Sequence, residues 1–534
     1  MKKILLVFIM SAILLLSSCG LFNYDDILAQ GYDNLTLEQT EVAYDFELPQ
    51  TVNAGFLPLQ VKWESSSPLI IIEGNKAKVD FVSNKENDTE VTLTATISLL
   101  NSSVTKEFIV TVLKYDLGDI STSKANFGNR LDKDGPLTEG CLPSVGSPKV
   151  LVVPVNLDST NKTDKLLNDI NIAFNGTSQE TGYESVNSYY KKSSYGKLDI
   201  KFDVMNEWFT PKYNKAFYNN YYDDDNSADG STLLLQEALT YYDKEINYND
   251  YDLNQDGYID AVWLIYNCDV NFRDSSSIYW AYVYWDFSEN LYDEKDAYYY
   301  ATGGTDFMYP TKEEAGTYDP TGIKIDAHTF IHETGHLLGL DDYYDYNEFK
   351  GARGGLYGAD MMDGNIGDHG AINKLLLGWV EPRIVSGSGN TTLELSSFTL
   401  TGDCIIVADR KLTSIYDTYY IIEFYTNDGL NSFVKPIDGY GIKVTKINAE
   451  KNIVDGKVKF NNGDYQCGFK YDNSDEEQLF VDLICNGSIG NNMYSLDDAV
   501  LYKEKDVLNR EDVFFKLVVN SCNEAGASIT ISIL

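Results

Sequence analysis

The sequence predicts a multidomain chain: an N-terminal β-sandwich, a central domain of mixed helices and strands, and a β-rich C-terminal domain. Three observations carry this. The chain has 534 residues, more than one hydrophobic core organises. Its two ends alternate apolar and polar residues with the period of half-buried strands. Its middle carries a helical apolar stripe, and all four histidines fall between His328 and His369.

The chain opens Met1-Lys-Lys, continues as an apolar run from Ile4 to Leu16, and reaches Ser17-Ser-Cys19. A basic start, a short apolar core and small residues read as a secretory signal over 1–18, too short to span a bilayer. Leu16-Ser-Ser-Cys19 resembles a bacterial lipoprotein lipobox, which implies lipidation at Cys19 and a cell-surface lipoprotein. Residues 19–31 read as a tether. Residues 32–114 read as the sandwich, because Val61-Lys-Trp63, Val91-Thr-Leu-Thr-Ala-Thr-Ile97 and Phe108-Ile-Val-Thr-Val112 alternate between turn-rich segments. This stretch resembles bacterial immunoglobulin-like (Ig-like) modules, which implies a spacer or adhesive stalk. Residues 115–146 read as a linker. The central domain spans 147–384, with strands at Pro148–Asn156 and Ile259–Tyr266 and a helix at Leu233–Tyr242. Residues 385–534 read as the β-rich C-terminal domain.

Asp326-Ala-His-Thr-Phe-Ile-His-Glu-Thr-Gly-His-Leu-Leu-Gly339 predicts a helix with a buried stripe, Asp326 as N-cap and Gly339 as its stop. Within it lies His332-Glu333-Thr334-Gly335-His336, the H-E-x-x-H pattern. Histidines four apart share one helix face and can hold one Zn²⁺. Glu333 then stands beside the metal as general base for a water. A catalytic zinc needs a third ligand. Asp342 completes H-E-x-x-H-x-x-G-x-x-D, with Asp341 and Asp345 as nearby competitors. His328 lies about 12 Å from His336 along the helix, too far to share one metal with both later histidines, and reads as a cleft-wall residue. Met362, or alternatively Met361, is expected as a methionine turn beneath the metal. His369 and Tyr344 are candidate donors to a transition-state oxyanion.

Asp252-Leu-Asn-Gln-Asp-Gly-Tyr-Ile-Asp260 has the ligand spacing of an EF-hand-type loop. Asp252, Asn254, Asp256, the Tyr258 carbonyl and Asp260 are the expected Ca²⁺ ligands. The twelfth position is Trp263, so this is not a complete EF-hand.

Several stretches together resemble the immune inhibitor A family of secreted bacterial zinc metallopeptidases. They are Pro148–Asn156, Ser185-Val-Asn-Ser-Tyr-Tyr-Lys-Lys-Ser-Ser-Tyr-Gly-Lys-Leu198, His332–Tyr344, Lys374-Leu-Leu-Leu-Gly-Trp379, Tyr419-Tyr-Ile-Ile-Glu423 and Gly439-Tyr-Gly-Ile442. The resemblance covers roughly 145 to 450 and implies a zincin-like α/β catalytic domain that hydrolyses peptide bonds. It implies His332, His336 and Asp342 as ligands and Glu333 as base. Two positions depart from the family: Asp341 stands where a proline is common, and Val444-Thr445-Lys446 where a histidine is common.

The formal charge of −39 repels nucleic acid and anionic membranes and favours divalent cations. Beyond Cys19 the cysteines are 141, 268, 404, 467, 485 and 522, an even count whose spacing dictates no pairing. Cys141 is also weighed as a thiolate cap on the zinc of a latent form. The expectation is a lipid-anchored zinc endopeptidase acting on extracellular proteins. The alternatives are a surface adhesin on a zincin scaffold and a glycoprotein-selective protease.

Overall fold

The computed structural model describes residues 24–37, 39–42, 45–55, 57–80, 83–84, 87–114, 120–124, 141–223, 228–270, 277–286, 288, 290–309, 324–345, 355–410, 412, 415–432, 435–450, 453–454, 457–458, 471, 473–474, 479–487 and 500–533. The expected secretory signal, Cys19, Cys467 and most of the expected linker lie outside the described residues. The chain divides into two compact units, Met1–Gly118 and Asp119–Leu534.

The first unit opens with helix α1 (Tyr24–Asn34). Eight strands follow: β1 (Glu41–Val42), β2 (Phe46–Glu47), β3 (Thr51–Ala54), β4 (Leu57–Ser65), β5 (Ile70–Glu73), β6 (Lys76–Val79), β7 (Thr89–Leu99) and β8 (Ser102–Val112). They form a five-stranded sheet, β1-β8-β7-β4-β3, and a three-stranded sheet, β2-β6-β5. Both contribute to one core, where Val61, Trp63, Val91, Leu93, Ala95 and Ile97 meet Ile70, Ala77 and Val79. The alternation legible in the sequence is what fills it, since every second side chain of a strand points inward. The expected tether is different. Residues 24–31 are helical, and Leu28 and Gly31 are buried in the sandwich core. The helical spacing of Ile27, Leu28 and Gly31 puts an apolar stripe on one side of α1, and that stripe is more stable covered than in water.

The second unit begins with β9 (Ser121–Lys124), inside the expected linker. Next come β10 (Lys149–Val155), α2 (Asp164–Asn175), α3 (Val186–Ser193), β11 (Lys201–Val204), α4 (Gly230–Tyr242), β12 (Val262–Tyr266), β13 (Tyr282–Trp285) and β14 (Tyr299–Gly304). The strands form one sheet, β11-β10-β12-β14-β13, parallel except for the antiparallel edge strand β13. Both faces are covered. Val150, Val152, Trp263 and Ile265 pack against Ile170 and Phe174 of α2. Leu151, Val153, Leu264 and Tyr266 pack against Leu234, Leu235 and Leu239 of α4. Continuous apolar strands are what a sheet buried on two faces requires.

Helices α5 (His328–Leu337), α6 (Met361–Gly364) and α7 (Ala371–Leu376) follow. Then come β15 (Arg383–Ser386), β16 (Gly389–Leu395), β17 (Cys404–Val407), β18 (Thr418–Tyr425), β19 (Gly441–Asn448), β20 (Val481–Leu483), β21 (Val507–Leu508), β22 (Phe515–Asn523) and β23 (Gly526–Ile533). They make a six-stranded sheet, β20-β19-β18-β17-β15-β9, and a four-stranded sheet, β16-β23-β22-β21. Ile422, Phe424, Ile442 and Val444 face the four-stranded sheet through Leu517, Val519, Ile529 and Ile531. Their neighbours Tyr419, Ile421 and Ile447 share the core of α2, α3 and α5 instead. The boundary expected at 384/385 is therefore no gap between cores, because the six-stranded sheet is apolar on both faces. No described helix is long and apolar enough to cross a membrane. Cys268, Cys404, Cys485 and Cys522 are free thiols.

Leu28→Ala separates a packed helix from a tether. Leu28 is 5 % exposed, so the substitution is expected to cost the first unit about 2–4 kcal/mol in denaturant unfolding. A tether would show no change.

Candidate metal centre

Helix α5 is anchored by its apolar stripe. Phe330 stacks on Phe174 of α2 and meets Trp263 of β12 edge-on, each at 5.4 Å. Its N-cap is Ala327, with no side-chain cap. Asp326, expected there, sits one residue further out. Its Oδ1 accepts from the His328 backbone N–H at 2.9 Å and lies 2.7 Å from His328 Nδ1. Burial of the His328 ring against Tyr183, stacked at 4.6 Å, brings that ring to Asp326. At the other end Gly339 takes φ +87°, a left-handed conformation that glycine adopts without strain. Leu340 N–H then donates back to the Gly335 carbonyl at 3.0 Å, and the reversed chain returns Asp342 to the helix face.

Three donor atoms converge there. His332 Nε2 and His336 Nε2 are 3.2 Å apart. Asp342 Oδ1 lies 2.9 Å from the first and 3.2 Å from the second. Donors bonded to a tetrahedral Zn²⁺ at about 2.0–2.2 Å are separated by about 3.3–3.6 Å, so the triangle, with edges of 2.9–3.2 Å, needs to open only slightly to hold that ion. The ring tautomers fit as well. His332 Nδ1 lies 2.9 Å from the Met361 carbonyl, and His336 Nδ1 lies 2.8 Å from the Leu340 carbonyl. A carbonyl only accepts, so each Nδ1 carries the proton and each Nε2 presents its lone pair to the shared point. Among the described residues this is the one group of three or more His, Cys, Asp or Glu donors that converges. Asp341, Asp345, His328 and Cys141 do not join it.

The electrostatics follow from burial and proximity. Burial disfavours charge on His336, yet the Asp342 carboxylate outweighs it and raises the imidazole to about 10. Burial likewise opposes charge on Asp342, and the two imidazoles hold it well below the usual carboxylate range. Burial raises Glu333, against the pull of His336 and His332.

Around the triangle lies a layer of supports. Met362 is fully buried, and a Cβ on Gly335 would come within 2.5 Å of its Sδ, so only glycine lets the helix settle onto this methionine. Met361 supplies the carbonyl for His332. Tyr344 donates its hydroxyl to Asp342 Oδ2 at 2.8 Å. Tyr344 thus orients the third donor, where the sequence suggested an oxyanion contact.

His369 lies among aromatic rings. It is 1 % exposed, with Tyr189, Tyr190 and Trp379 around its ring at 5.5, 5.8 and 6.1 Å. Tyr189 and Tyr190 of α3 hold the ring, and Asn373 Nδ2 lies 3.4 Å from its Nδ1.

The acidic loop forms the expected sharp turn, with Gly257 at φ +95°. Asp252, Asp256 and Asp260 do not gather into a metal group. Asp252 accepts from the N–H groups of Asp256 and Gly257, and Lys295 Nζ bonds its Oδ2 at 2.6 Å. Asp260 accepts from Leu253 N–H at 3.1 Å, and Asn254 Nδ2 donates to Asp256 at 2.8 Å. Tyr258 N–H donates to Asp256 at 3.0 Å. The turn is closed by its own amides and an ammonium. Lys295 is 43 residues from Asp252 in sequence, so the motif alone could not reveal it.

Sequence reasoning missed a buried polar chain beneath the site. Tyr343 donates its hydroxyl to Asn373 Oδ1, and Asn373 Nδ2 donates to Asp360 Oδ1 at 3.0 Å. Asp360 also accepts from Met362 N–H at 2.9 Å and Gly370 N–H at 2.6 Å. The one signal available was a set of lone polar residues in otherwise apolar runs.

A family model described as an atrophied bacterial Ig domain matches residues 27–115. The match begins inside α1, in keeping with the helix being part of the N-terminal unit. Among curated proteins, none matches this chain.

Asp342→Ala is expected to weaken Zn²⁺ binding at least ~100-fold and Tyr344→Phe about 10-fold, read by competition with a chromophoric chelator. Equal affinities for wild type and Asp342→Ala would exclude Asp342 as a ligand.

Proposed function

We propose that this chain is a zinc-dependent endopeptidase, zincin-like in its α/β part and related to the immune inhibitor A family through the motifs named above. The observation that carries the proposal is the triangle of His332 Nε2, His336 Nε2 and Asp342 Oδ1, with both Nδ1 protons fixed by carbonyls and Glu333 adjoining. A sheet covered by helices on both faces, with one antiparallel edge strand, supports the zincin-like reading.

When bound, Zn²⁺ supplies Lewis acidity, which polarises a carbonyl and makes water nucleophilic near neutral pH. His332, His336 and Asp342 would hold it. Glu333 takes the proton of the attacking water and delivers it to the leaving amine as the peptide bond breaks. Tyr344 keeps Asp342 turned toward the imidazoles.

The Ig-like N-terminal region supports an extracellular or surface location, and the signal sequence with Cys19 adds a lipid anchor to the proposal. Extracellular proteins or glycoproteins are the matching substrate class. The same Ig-like region also favours a second reading, a surface binding protein that keeps the fold without the chemistry.

The deciding experiment incubates the protein and its Glu333→Gln variant with a mixed peptide library, with and without a zinc chelator. Cleavage is expected from the metal-loaded wild type and is lost with the chelator, with the variant slower by ~10²–10⁴-fold while still binding zinc. A folded, zinc-loaded wild type that cleaves neither peptides nor glycoproteins overturns the enzyme reading in favour of the binding protein.

A further inference from the structure

Glu423 and Lys443 are directly opposed across β18 and β19, and their side chains form an ion pair at 3.0 Å. They are only 3 % and 4 % exposed. Strand alternation puts them on the sheet face that carries Tyr419, Ile421 and Ile447, toward the α/β core. A buried pair is weak evidence of stability, since removing two charges from water costs much of what their attraction returns. Apolar residues would fill these positions at no such cost, so a pair placed here calls for another account.

Its surroundings provide one. Glu423 Oε2 accepts from Ala371 N–H, the first residue of α7, at 3.3 Å. A Cβ on the preceding Gly370 would lie 2.9 Å from Asp360 Oδ2 and 3.6 Å from Lys443 Nζ, so the ammonium and the fully buried Asp360 carboxylate flank the same residue. Burial works against charge on Asp360, and His369, the Met362 N–H and the Lys443 charge outweigh it. Asp360 in turn caps α6 through Met362 N–H, next to the Met361 carbonyl that fixes His332. Through Asn373 it also holds Tyr343, the residue after Asp342.

We infer that Glu423 and Lys443 are positioning residues for the metal centre: the six-stranded sheet locks Asp360, and Asp360 sets both the His332 tautomer and the approach of Asp342. On this account the C-terminal strands are a working part of the site and not a separable substrate-binding domain. The inference rests on the zinc reading above.

The test uses the full chain with Lys443→Met, Glu423→Gln and, as a control, Val519→Ala, a fully buried position on the four-stranded sheet. Zn²⁺ affinity is measured by chelator competition, and Co²⁺ substituted for zinc reports donor geometry through its visible absorption. Lys443→Met and Glu423→Gln are expected to weaken Zn²⁺ binding about 10–100-fold and to alter the Co²⁺ bands. Val519→Ala is expected to lower the unfolding midpoint without either change. If Lys443→Met does not fold, Lys443→Arg, which keeps the charge, is expected to stay within a few-fold of wild type while Glu423→Gln still loses affinity. Folded variants with wild-type affinity and spectrum would reduce the pair to a structural contact. A wild type that binds neither ion overturns the zinc reading itself, an outcome distinct from wild-type binding with unaffected variants.

Discussion

An imidazole offers its Nε2 lone pair to a cation only when the proton sits on Nδ1. In this protein two carbonyls, of Met361 and Leu340, impose that condition on His332 and His336. The Leu340 carbonyl comes from the helix's own C-terminal reversal. The Met361 carbonyl comes from a different segment, which must be held rigidly below the helix. Much of the surrounding architecture serves that requirement. Gly335 clears space for Met362, Asp360 caps α6, and Asn373 ties the same carboxylate to the chain beside Asp342.

A buried carboxylate such as Asp360 is tolerated only with several donors and a nearby cation. The donors come from α6 and α7, and the cation from β19. The six-stranded sheet that supplies this cation is otherwise largely apolar on both faces. One face closes a β-sandwich with the four-stranded sheet, and the other closes the core around the helix that carries the donors. A second buried ammonium, Lys374, follows the same rule. It bonds Asp368 at 2.6 Å, and Asp368 also accepts from Ser193 and Thr399, so α3, α7 and the C-terminal part meet at one carboxylate. Charges inside this unit are joints between segments remote in sequence.

What the structure adds to several readings has a shared cause. The tether became a helix because Ile27, Leu28 and Gly31 found a sandwich face to cover. The acidic loop kept its expected turn, with Gly257 at φ +95°, and Lys295 bonds its first carboxylate. His369 was scarce and near the motif, yet three aromatic rings enclose it. In each case the deciding partner lies far along the chain or on another element, where spacing rules do not reach.

The sequence by itself determined what depends on local period and stereochemistry. The helix of H-E-x-x-H, its stop at Gly339, the return of Asp342 three residues later, and the alternating strands of the N-terminal sandwich were all legible. Their physical causes act within a few residues: a 3.6-residue period, a left-handed glycine and a period of two. Only the tertiary structure decided which polar residues support the site. Glu423, Lys443, Asp360 and Asn373 read as isolated polar positions until folding brings their strands and helices together. A buried charge is defined by the partner that neutralises it, and that partner is chosen by packing.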